Sequence, residues 1–179
     1  NMPVVGKLFA ETLAGPAGAL RLNAGSRGVF HPDPMPDGYI ADASIALVLR
    51  PQAFRANARQ VGQLCAHNAR FQPRYHEIKV PTVVITGNRD SVVAEDIHSK
   101  GLARDISSAE LVWVDGMGHK PDYVATDLAI AAIEKVAGTV RDLQAMAREL
   151  EAGFNAARPV RTADPGSSQG QSGAVQPIG

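Results

Sequence analysis

The chain has 179 residues, with 18 basic and 18 acidic side chains and a formal net charge of zero. That length suits one domain, and the charge balance excludes the basic footprint of a nucleic-acid binder or of a protein held on an acidic membrane surface. The single cysteine, Cys65, excludes an intramolecular disulfide and fits a reducing, cytoplasmic setting, and no apolar run approaches the roughly 20 residues that span a bilayer.

Taken in order, residues 1 to 14 read as a short helix, with Val5, Leu8, Phe9 and Leu13 at helical spacing. Lys7 and Glu11 interrupt the run, so it is not the apolar core of a signal peptide. The chain opens on Asn1 rather than Met, which is read as a sign of a segment upstream. Gly15-Pro16 should end the first helix, and a second is expected over Ala17 to Ala24. Gly25-Ser26-Arg27-Gly28 reads as a loop. The run from His31 to Gly38 contains three prolines, which fix φ and remove donors, so no regular element is expected there. Tyr39 to Leu49 reads as a helix. Pro51 suits the first position of the next, which runs to about Ala69 and carries Phe54, Val61 and Leu64.

Residues 80 to 119 organise the rest. Val83-Val84-Ile85 and Leu111-Val112-Trp113-Val114 are short apolar runs without polar alternation, as in strands of a parallel sheet covered on both faces. Between them a helix is expected from Ala94 to Asp105, with Ile97, Leu102 and Ala103 buried and Glu95 and Asp96 at its positive end. Each strand breaks at glycine and then presents an ionisable side chain: Asp90 after Gly87-Asn88-Arg89, and His119 after Gly116-Met117-Gly118. In a parallel strand–helix–strand unit both loops leave the carboxyl edge of the sheet, where α/β folds place their ligands. The bland alternatives are a turn aspartate and a surface histidine. Arg89 is read as an exposed loop residue. Beyond Pro121, residues 122–136 read as an amphipathic helix with Val124, Leu128, Ile130, Ile133 and Val136 apolar, covering the sheet. Gly138 breaks it. A last helix, 140–157, bears the stripe Leu143, Met146, Leu150 and Phe154, suited to packing on the domain or on a partner. From Arg158 the chain is rich in Pro, Gly, Ser and Gln and is expected to be disordered.

The stretch from Ile78 to Gly87 followed by Asp90, together with Gly116-Met117-Gly118-His119, resembles the α/β-hydrolase family. The resemblance covers residues 74–137 well and the N-terminal third loosely. It implies an α/β fold, with the C-terminal part of a parallel hydrolase sheet at 73–157, a helical cap at 1–72 and a disordered tail at 158–179. It also implies that Asp90 is the acid and His119 the base of a Ser-His-Asp triad, acting without metal or cofactor on a small-molecule substrate, by default an ester. A lactone or carbon–carbon substrate stays open. Epoxide hydrolysis is disfavoured because only Tyr39 lies clearly in the cap, with Tyr75 on the connector. Halide chemistry is disfavoured because the one tryptophan, Trp113, sits on a strand.

The nucleophile is the missing part. The family sets it on a G-x-S-x-G turn between strand and helix, ahead of the acid. Gly25-Ser26-Arg27-Gly28 has the wrong spacing. Gly166-Ser167-Ser168-Gln169-Gly170 matches literally, but Ser168 follows His119 and has no apolar strand before it, so it is rejected. The oxyanion hole is missing with it. The chain therefore reads as cap plus C-terminal half, with little activity expected alone. The alternative is a non-catalytic small-ligand module, or a homodimer formed through the 140–154 stripe. A nucleotide binder is disfavoured, since no G-x-G-x-x-G opens a helix after a strand. His31, His67, His76 and His98 are too scattered for a metal site and are expected at the surface.

Overall fold

The computed structural model describes residue 12 and residues 14–157. The first predicted helix, apart from its end, and the predicted disordered tail lie outside them. Seven α-helices and a two-stranded parallel sheet make up the described part.

Helix α1 spans Ala14–Phe30. It runs without a break through Gly25-Ser26-Arg27-Gly28, which corrects the expected loop. Ser26 is buried, as is the helix's last residue, Phe30. Gly15-Pro16 does not close a helix but lies within α1. After the proline loop, the helix expected over Tyr39 to Leu49 is split. Helix α2 covers only Tyr39–Asp42, and a 3₁₀ segment covers Ile45–Leu49. Between them Ser44 takes a φ of 52°, a left-handed conformation that ends the α-helical ladder.

Helix α3, Pro51–Phe71, starts on proline as predicted. None of its residues is fully buried; Phe54 is half-buried, while Val61 and Leu64 are exposed. A 3₁₀ segment, Gln72–Glu77, leads back to the sheet.

Strand β1 (Thr82–Gly87) and strand β2 (Ala109–Val114) pair in parallel, with Ile85 opposite Val112 and Gly87 opposite Val114. Helix α4, Ser99–Asp105, crosses between them and packs on both strands. It starts five residues later than the sequence suggests. The preceding residues are drawn into turns, and Ile97 stands exposed instead of buried. Short helix α5 (Pro121–Val124) and helix α6 (Thr126–Val136) replace the single helix expected from Asp122, with the break at Ala125.

Helix α6 packs on β1 through Leu128, Ala131 and Ala132, while Ile130, Ile133 and Val136 face outward. The buried positions follow i, i+3, i+4 spacing, and their two alanines let the helix sit close to the strand. Helix α7, Leu143–Ala157, lies on β2. Its Leu143 and Ala147 are buried, and Met146, Leu150 and Phe154 pack on the core formed by Val112, Val114, Met117 and Leu128. The stripe considered for dimerisation is thus partly covered within the chain, while Val140 at its start is exposed.

Among the described residues no helix is long and apolar enough to cross a membrane. Cys65 is free and exposed.

Candidate functional site

Both loops leave the sheet at the carboxyl ends of paired strands. Gly87 and Val114 are partners in register, so residues 88–90 and 115–119 begin side by side. Polar and backbone bonds then hold the loops together. The Arg89 N–H donates to the Met117 carbonyl at 3.1 Å. Asn88 Oδ1 accepts the Gly116 N–H at 2.8 Å, and Asn88 Nδ2 donates to Asp115 Oδ1 at 3.0 Å. The Trp113 indole N–H donates to the same Asp115 oxygen at 2.7 Å. Below these bonds Met117 is fully buried and packs into the core. A side chain at Gly87 would overlap the Met117 carbonyl and Cβ, so only glycine admits this approach.

The pairing brings Asp90 and His119 together. Asp90 Oδ2 lies 2.8 Å from His119 Nδ1. The other carboxylate oxygen, Oδ1, accepts the N–H groups of Val92 and Val93, each at 2.8 Å. Burial by itself would raise the Asp90 pKa. The bond from His119 and the two backbone bonds from Val93 and Val92 outweigh it, so the carboxyl is held below its usual range and stays ionised. An ionised carboxylate only accepts, so His119 Nδ1 carries the hydrogen and Nε2 of the neutral ring is left with a lone pair. Asp90 is mostly buried at 13 % side-chain exposure, and His119 is more open at 29 %. The pair therefore combines a sheltered anion with an imidazole that a reacting molecule can reach.

The two candidate residues are where the spacing placed them. Arg89 is exposed and makes no contribution to the Asp90 shift. His31, His67, His76 and His98 are all exposed. Among the described residues no three His, Cys, Asp or Glu side chains cluster as metal ligands would. No serine or cysteine among them hydrogen-bonds the His119 ring, and Ser168 lies outside the described residues.

Sequence reasoning missed Asp33. It comes from the proline loop, is 9 % exposed, and accepts the Gly118 N–H through Oδ2 at 2.9 Å. An aspartate between two prolines reads as a turn residue, and nothing in its neighbourhood signals a partner 85 positions away. Close by, Phe30, Tyr39 and Tyr123 form a set of edge-to-face rings with centroids 4.8–5.5 Å apart. An open groove of about 660 Å³ runs between α5, α6 and α7, lined by Tyr123, Leu128, Met146, Leu150 and Phe154 among others. Comparison with known proteins adds no relative to this geometry: no family model, no curated protein and no solved structure matches the chain.

Proposed function

We propose that Asp90 and His119 are the acid and base of a hydrolase that acts on ester or related bonds of a small molecule, in the manner of the α/β-hydrolases. The observation that carries this reading is the 2.8 Å contact between Asp90 Oδ2 and His119 Nδ1, with Oδ1 held by two backbone N–H groups. In that arrangement Nε2 takes the proton from a nucleophilic hydroxyl as it attacks the substrate carbonyl. The imidazolium so formed sits against ionised Asp90 and then protonates the leaving alcohol. Asp90 fixes the tautomer and the ring direction and is never itself protonated in the cycle. The nucleophile would be a serine delivered by a strand–turn–helix unit that the described residues do not contain.

The test is labelling with a fluorophosphonate, which reacts with a serine only when a base activates it. The protein to use is the longest polypeptide the open reading frame encodes. One serine should be labelled, and labelling should fall at least 100-fold in His119→Ala, as expected for loss of a general base worth about 10²–10⁴. A chain in which no serine reacts would overturn the hydrolase reading.

The groove of about 660 Å³ favours a second reading, retention of a small apolar ligand without chemistry. Unlabelled protein that still binds a hydrophobic dye, with binding lost in Phe154→Ala, would support that alternative.

A further inference from the structure

The residue that precedes His119 is gripped from outside the sheet. Asp33 Oδ2 accepts the Gly118 N–H at 2.9 Å in a buried contact. A methyl group placed on Gly118 would lie 2.9 Å from that same oxygen, 2.9 Å from the His31 carbonyl and 3.0 Å from Pro32 Cδ. The chain at residues 31–33 therefore lies directly against the backbone at 118.

On the other side of His119 the same strap makes a second contact. Phe30 and Tyr39, at its two ends, pack edge-to-face against Tyr123, with ring centroids 5.5 and 5.2 Å away. The Lys120 ammonium lies over Tyr123, 4.8 Å from the centroid, and 5.9 Å from that of Phe30. His119 thus hangs from a stretch of backbone pinned before and after it by residues 30–39.

We propose that Asp33 is a positioning residue for His119. The placement of the Gly118 backbone sets the position from which the His119 side chain leaves the chain. Its N–H has a fixed acceptor only while Asp33 is in place. A 2.8 Å bond between His119 Nδ1 and Asp90 tolerates little displacement, since hydrogen bonds weaken beyond about 3.2 Å. Asp33 bonds the backbone at Gly118, one residue before the imidazole. It acts through the backbone, and it couples the seating of the N-terminal helical region to the alignment of the acid–base pair. The proposal rests on the acid–base reading of His119 for its significance, but its geometry is tested apart from any chemistry.

The experiment is proton and nitrogen NMR of the full chain with ¹⁵N-labelled histidine. The readout is the strongly deshielded proton that His119 Nδ1 shares with Asp90, assigned by its loss in Asp90→Ala. Asp33→Ala should abolish that signal or let it broaden into solvent exchange. Asp33→Asn, whose amide oxygen still accepts, should keep it. A control of reduced stability but with the strap intact, Leu150→Ala, should keep it as well. Should Asp33→Ala fail to fold, Gly118→Ala disturbs the same contact from the other side and should lose the signal likewise. An unchanged signal in folded Asp33→Ala or in Gly118→Ala would overturn the proposal. So would equal loss in Leu150→Ala, which would reduce Asp33 to a contributor to general stability. The outcome is independent of serine labelling. A lost signal with no reactive serine leaves the positioning standing and removes the hydrolase reading.

Discussion

Asp90 divides its two oxygens between a turn and His119. Oδ1 closes a turn by accepting the Val92 and Val93 N–H groups, the ordinary use of an aspartate in a loop. Oδ2 holds His119. One side chain thus both closes the turn and makes the contact with His119 on which the proposed triad role rests. The sign of the pH effect follows from the lowered pKa. A carboxyl held below its unfolded value of about 3.9 contributes stability above that pH and loses it as the pH falls through the folded value. Wild type should therefore exceed Asp90→Asn in urea midpoint at pH 6, and the gap should narrow steadily towards pH 3. A gap that is constant with pH would mean that the ionised carboxylate contributes nothing to folding.

At the scale of elements, residues 80–119 were the legible part. Unbroken apolar runs that give way to glycine point to both strands and their shared edge, and the two ionisable side chains follow the strand ends at short range. The helices were less legible, for a reason visible in α6. Its large side chains suggested an inward stripe through Ile130 and Ile133, yet these are 50 % and 67 % exposed. The face that meets β1 is Leu128 with Ala131 and Ala132, because close helix–strand contact selects small residues over bulky ones. Helix α3 was misjudged in its second half, where Val61 and Leu64 stand exposed. The packing predicts a contrast in α6. Leu128→Ala should lower unfolding free energy by about 2–5 kcal/mol, and Ile133→Ala by about 0.5 kcal/mol or less. Equilibrium urea unfolding reads both, and comparable losses would show that the helix is rotated from the orientation described.

For the molecule as a whole, the link between residues 14–77 and residues 80–157 is narrow and specific. It includes the aromatic set Phe30–Tyr39–Tyr123, the buried Asp33–Gly118 bond, and a 3.1 Å hydrogen bond from Gln72 to Asp105. Phe30 is fully buried although it ends its helix, so it anchors the strap. Phe30→Ala should cost about 3–5 kcal/mol by removing that anchor. Circular dichroism melts should then resolve two transitions where wild type shows one; a single transition merely shifted to lower temperature would show that the two regions unfold as a unit regardless of the anchor. None of this was visible in the sequence, because contacts across 85 positions leave no local pattern.

The long span of the Asp33–Gly118 bond also fixes when the site can be completed. As the chain emerges during synthesis, Asp33 precedes Gly118 by 85 positions, and their bond waits on β2 and the loop that follows it. Contacts between such distant positions carry the largest loop-closure entropy and tend to form after local ones. The Asp90–His119 contact spans only 29 positions and rides on the β1–β2 pairing. The acid and the imidazole can therefore meet early in folding, while the strap that aligns them arrives last, making the final alignment of the pair a late marker of the native state.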